Sequence, residues 1–146
     1  MNIEECYKKR MLRKIPQDPK KAKRSLEISE NKLKTAKNAF EKELYGPTII
    51  YGYTSMFHSS RALLYKDGIQ EKSHICLVLY IKENYSNKIP PYLINSLNSF
   101  RKERHETLYG LDFIETKEDA ELSIHDAEQL LTTVKKILNE IRAPLL

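Results

Sequence analysis

The sequence has no tryptophan, only two cysteines, four glycines and six prolines in 146 residues. So few chain breakers exclude a turn-rich β-sandwich, which needs Gly and Pro at its many reversals, and leave helices as the natural architecture. Long apolar stretches are also missing. The longest unbroken run is Ile75 to Ile81, seven residues, far short of the ~20 that a membrane-spanning helix requires. The first residues carry charge where a secretory signal would carry an apolar core. A cytoplasmic protein with no membrane partner is expected.

The two cysteines stand far apart, Cys6 in a charged N-terminal segment and Cys76 within Ile75-Cys-Leu-Val-Leu-Tyr-Ile81. Their parity permits a disulfide, but a cytoplasmic setting argues for free thiols, with Cys76 a small buried hydrophobe. Neither has the CxxC or His-paired context of a metal or redox site. Phosphate-binding P-loops, GxGxxG turns and a Gly-x-Ser-x-Gly elbow are likewise absent from the sequence. No metal and no cofactor are expected.

What is present is one domain's length of chain, 40% hydrophobic and 31% charged, which suits amphipathic helices around a single core. The net charge of +5 is unevenly spread. Met1 to Leu44 holds 13 Lys/Arg against 7 Asp/Glu, whereas His105 to Ile141 holds 3 against 9. A basic front suits a phosphate polyanion. Solvated helix faces that pair basic with acidic across a dimer would produce the same pattern.

Residues 1–17 read as a basic arm or short helix ahead of a bundle domain over residues 18–146. Asp18-Pro19 is a strong helix start, a capping carboxylate followed by proline at the first helical position. Ala22, Leu26, Ser29, Leu33, Ala36, Phe40 and Leu44 then recur at helical steps. Tyr45-Gly46-Pro47 breaks the chain. A second helix is predicted from Thr48 to about Lys66, closed by Asp67-Gly68, with Gly52, Ser55, Ser59 and Ala62 forming a row of small residues that invites close approach by another helix. Ser73 caps a shorter helix through Tyr85, read as helix because nothing else resembles a pairing strand. Pro90-Pro91 opens the next, striped by Leu93, Leu97, Phe100, Arg104, Leu108 and Leu111. The last begins at Thr116 and runs through Ala120, Ile124, Ala127, Leu131, Val134, Leu138 and Ile141. The expected fold is all-α: an antiparallel up-and-down four-helix bundle with an additional short helix.

Arg104 breaks this pattern, standing where its stripe demands an apolar residue. A charge on a seam is costly unless it is paired or faces a cleft. Arg101, His105 and Tyr109 form an i, i+4, i+8 row beside it. Two guanidiniums, an imidazole and a phenol on one arc suit phosphodiester chemistry, since guanidinium clamps phosphate in bidentate fashion and imidazole moves protons near neutral pH. A structural ion pair of Arg104 with Glu121 or Asp126 is the competing explanation. His58, His74 and His125 read as ordinary core or surface histidines, and the His58-Ser59-Ser60 run lacks the elbow of a serine nucleophile.

At these residues a resemblance emerges. Tyr53-Thr-Ser-Met-Phe-His-Ser-Ser-Arg-Ala-Leu-Leu64 resembles the YYAMFHAARALL signature of HEPN-domain proteins, and Asp67-Gly-Ile-Gln-Glu-Lys-Ser-His74 resembles the turn that follows it. Arg104-His-Glu-Thr-Leu-Tyr109, Thr116-Lys-Glu-Asp-Ala120 and the closing Ala127-Glu-Gln-Leu-Leu helix continue the similarity, from roughly Ala22 to Leu138. The nearest resemblance is to small stand-alone prokaryotic members. It implies a homodimeric helical bundle that acts on RNA as a metal-independent endoribonuclease, a toxin paired with a minimal nucleotidyltransferase antitoxin. The family motif is Arg, a polar residue, three residues, then His. Arg104 and His105 match its first two positions, and Tyr109 stands at the last. The site implied is Arg104, His105 and Tyr109 as catalytic residues, with Arg101 and Arg104 binding RNA phosphate. A non-catalytic module that binds a nucleotide or a nucleotidyltransferase is the alternative.

Overall fold

The computed structural model of the protein describes residues 1–110 and 114–142, with side chains through Asn139. Leu111, expected on a stripe, lies outside the described residues. Among those described, the chain forms α1 (Ile3–Lys8), β1 (Leu12–Lys14), α2 (Pro19–Glu41), α3 (Tyr45–Asp67), β2 (Ile69–Glu71), α4 (His74–Tyr85), α5 (Pro91–Tyr109) and α6 (Lys117–Arg142). The fold is the expected all-α antiparallel bundle of four long helices, joined by the short helix α4 and an N-terminal turn of helix.

The caps behave as the sequence implies. Asp18 accepts the Lys21 amide at 3.0 Å with Pro19 in the first turn of α2. Ser73 accepts the Cys76 amide, and Thr116 accepts the Asp119 amide at 3.1 Å. Gly68 adopts φ +78° and closes α3. A side chain there would meet the Ile15 carbonyl at 2.7 Å as well as strain the backbone, so glycine is required twice over.

Helix α3 is central, packing on α2, α6, α5 and α4. Its seam with α2 is fixed by a reciprocal polar pair. The Ser29 hydroxyl donates to the Ser55 carbonyl (2.7 Å) and the Ser55 hydroxyl donates to the Ser29 carbonyl (2.9 Å), so two buried hydroxyls satisfy each other across the interface. Gly52 lies against Ser123 of α6, where an added Cβ would sit 2.8 Å from Oγ. The small-residue row is therefore used inside the bundle: Gly52, Ser55, Ser59 and Ala62 are all buried, and none of them is a surface for self-association. The basic and acidic helices also meet within one chain, through Lys37 with Glu128 and Lys135 with Glu30.

Four expectations need correction. The break at Tyr45-Gly46-Pro47 falls earlier, since α2 ends at Glu41, the chain reverses with Glu43 at φ +60°, and α3 already begins at Tyr45. Pro47 is accommodated because first-turn amides have no intrahelical acceptor. Leu44 consequently leaves the seam and is half-exposed. The N-terminal arm contains a strand, β1, paired antiparallel with β2 (Leu12 to Glu71, Lys14 to Ile69); three-residue strands carry too little alternation to be read from sequence. Finally, Cys6 and Cys76 are bonded to each other, tying α1 to α4 across a separation of 70 residues. The free-thiol reading rested on compartment, and the folded chain brings both buried sulfurs together.

Candidate functional site

Arg104 lies where the apolar seam of α5 runs out. Leu93, Leu97 and Phe100 are buried, Arg104 is half-buried and Leu108 is exposed, so the arginine stands at the mouth of the bundle rather than within it. Among the described residues it has no carboxylate partner. Asp126 instead accepts from Ser96 Oγ (2.6 Å) and sits beside His125, and Glu121 is exposed. The structural ion-pair explanation is thereby overturned. The Arg104 guanidinium lies 6.0 Å from the centre of the Tyr53 ring, a cation–π arrangement.

Arg101, Arg104 and His105 of α5 line one cleft of about 260 Å³ together with Ser73, His74 and Ile75 at the start of α4. Arg101 is steadied by Asn98, whose side-chain oxygen accepts from Nε at 3.1 Å. Tyr109 does not line this cleft. It is 68% exposed, with its ring 4.9 Å from that of His105. Three of the four residues singled out in the sequence thus converge and the fourth stands aside.

The residue that sequence reasoning passed over is His74. It is the first residue of α4, and the Ser73 cap sets the start of that helix. Its Nδ1 lies 2.7 Å from the hydroxyl of Tyr53. Its ring stacks on Phe57 at 4.3 Å and 17°, and on Tyr53 at 5.8 Å and 26°. The signal was present in the Lys-Ser-His of the turn, but spacing along one helix cannot reveal a partner carried by another.

The field in the cleft is positive. Burial of the ring lowers the His74 pKa, and the Arg104, Arg101 and Arg61 guanidiniums lower it further. Burial raises the pKa of the Tyr53 phenol well above its ordinary value, so it stays protonated. Behind this layer, His58 packs edge-on to Phe57 and its buried Nδ1 has no hydrogen-bond partner. Burial, then Arg61, Lys32 and His74, push the His58 pKa down to about 4. Arg61 is paired with buried Glu71 at 2.6 Å and covers the Phe57 and Tyr65 rings. The arrangement can hold an anion on two guanidiniums and place two imidazoles beside it. No group of acidic, histidine or cysteine side chains with metal-binding geometry occurs among the described residues.

The HEPN domain matches residues 22–137, which include every residue of this cleft. The chain belongs to the HEPN family. Two proteins of Methanocaldococcus jannaschii resemble this HEPN chain over most of both lengths. One, named "Putative toxin MJ0605", is 31% identical over 121 residues, 80% of this chain and 87% of the relative. The other, named "Putative toxin MJ0142", is 31% identical over 140 residues, 94% of this chain and 88% of the relative. The HEPN signature now has a spatial meaning here. Tyr53 and Phe57 of Tyr53–Leu64 pack behind His74 and Arg104, with His58 and Arg61 against Phe57 in turn, and no helix of the described residues is long and apolar enough to cross a membrane.

Proposed function

We propose that this HEPN protein is a toxin-like, metal-independent endoribonuclease. The observation that carries this reading is the convergence of Arg101, Arg104 and His105 in one cleft, with Arg104 unpaired by any carboxylate among the described residues. Paired guanidiniums bind the phosphodiester and stabilise the charge that develops on it, and an imidazole moves a proton near neutral pH. The names of the two relatives support the toxin role. Such a toxin works as a homodimer whose clefts lie near the two-fold axis, and a minimal nucleotidyltransferase serves as its antitoxin. Tyr109, outside the cleft with its ring against His105, acts as a hydrogen-bond donor to RNA that extends beyond it.

The test is incubation of the purified protein with single-stranded RNA in excess EDTA. Cleavage to 2′,3′-cyclic phosphate and 5′-hydroxyl ends is expected, and intact RNA would overturn the reading. Sedimentation at micromolar concentration is expected to give the mass of a dimer.

A second reading draws on the position of Tyr109. The residue at the motif's last position is a phenol outside the cleft, which favours a module that binds a nucleotide or a nucleotidyltransferase without cutting RNA. RNA affinity with no cleavage would select it.

A further inference from the structure

The motif's last position offers this site no imidazole, yet the cleft holds a second one from a different helix. We propose that His74 is the proton acceptor of the site, a catalytic residue supplied by α4, with Tyr53 as the positioning residue that holds it. The proposal rests on the ribonuclease reading above and names the substrate as single-stranded RNA bearing a free ribose 2′-hydroxyl.

The geometry is that of an oriented base. Tyr53 engages Nδ1 at 2.7 Å, and the Phe57 stack fixes the plane of the ring. Nε2 has no hydrogen-bond partner among the described residues, and the ring lines the cleft alongside both guanidiniums. The proposal assigns His74 the tautomer in which Nδ1–H donates to the phenol oxygen; the lone pair of Nε2 is then free, and taking a proton there needs no rearrangement at Nδ1. Tyr53 thus serves as the orienting third group found in nucleophile–base–orienter arrangements.

The electrostatics favour the same role. From α5, Arg101, Arg104 and His105 face His74; from α3, Arg61, His58 and Tyr53 do. Burial of the ring, and then the Arg104, Arg101 and Arg61 guanidiniums, favour neutral His74, the form able to accept a proton. A phosphodiester seated on Arg101 and Arg104 offsets their charge and so favours the imidazolium as the proton arrives. In the reaction, Nε2 of His74 removes the 2′-hydroxyl proton and O2′ forms a bond to phosphorus. The P–O5′ bond breaks, and O5′ takes a proton from the imidazolium of His105, leaving a 2′,3′-cyclic phosphate and a 5′-hydroxyl. Ile75, exposed at the cleft edge, gives the adjoining base an apolar surface.

The experiment measures cleavage and binding of a mixed-sequence single-stranded oligoribonucleotide by wild type, His74→Gln and Tyr53→Phe across pH. His74→Gln is expected to lose roughly 10²–10⁴-fold in kcat while Kd stays near wild type, and to lose the acidic limb of the kcat/KM profile. Tyr53→Phe keeps the ring stack and removes the acceptor for Nδ1–H. It should show a smaller loss, with the acidic limb moved to lower pH, a change that a packing role would not produce. Wild-type kcat in a folded His74→Gln would overturn the assignment and leave the ribonuclease reading intact. So would a loss confined to KM, which would make His74 a phosphate anchor only. Absence of cleavage by wild type would overturn both.

Discussion

The Tyr53 hydroxyl and Nδ1 of His74, 2.7 Å apart, join the central helix of the bundle to the first residue of the short one. Tyr53 also lies beneath the Arg104 guanidinium, which is 6.0 Å from its ring centre, so a single buried phenol bonds the imidazole and faces the cation of the cleft. That contact links the HEPN signature of α3 to the Arg-His pair of α5.

Arg104→Met keeps an unbranched apolar stem and removes the charge. Since Arg104 is half-buried with no carboxylate partner among the described residues, folding should be nearly unchanged by circular dichroism. RNA binding should be lost or strongly weakened. Where residual binding is measurable, the log–log salt dependence should flatten by about 0.7 for one phosphate contact on a single strand. Unchanged affinity with a large drop in melting temperature would show that Arg104 is structural.

Two half-buried groups set opposing pH dependences. His58 has its pKa lowered in the folded state, from 6.5 to about 4, so the stability it contributes is present above pH 6.5 and is lost as pH falls through about 4. Glu103 sits in a second cleft with Asp119. Burial and that neighbour raise its pKa from 4.5 to about 7, so its contribution is present below about 4.5 and disappears as pH rises through 7. Glu103→Gln should therefore raise the melting temperature at pH ~8 and leave it little changed at pH ~4, whereas His58→Gln should flatten the acid limb. Thermal melts across this range read both effects.

Reducing the Cys6–Cys76 bond should destabilise the protein without unfolding the four long helices. The crosslink closes a loop of about 70 residues, for which the chain-entropy relation gives about 4 kcal/mol. A melt with and without a dithiol reductant measures it, and Cys6→Ser should reproduce the reduced value. Equal melting temperatures would mean that the bond adds nothing to folding.

Gly52→Val should cost about 1–3 kcal/mol, because even a Cβ at this position meets Ser123 Oγ at 2.8 Å and Cβ at 3.0 Å. Pairing it with Ser123→Gly should recover part of the loss. Full additivity of the two changes in denaturant unfolding would contradict the direct contact.

The amino-acid sequence determined the helices by itself, because their signals are local. Asp18-Pro19, Ser73 and Thr116 cap within one turn, Gly68 supplies the one left-handed residue needed after α3, and apolar residues recur at helical steps along α2 and α6. It also singled out Arg104, since a charge breaking an apolar stripe is visible in the pattern. Only the tertiary structure decided what that charge faces. The seam of α5 ends at Phe100, so Arg104 meets Tyr53 and the cleft rather than Glu121 or Asp126. The same holds for the Cys6–Cys76 bond, the β1–β2 pairing, the burial of the Gly52 row and the place of His74. Each depends on residues brought together from different elements, by packing whose free energy is spread over the whole core. Periodicity records which face of a helix is apolar, but not which residue of another helix will lie against it.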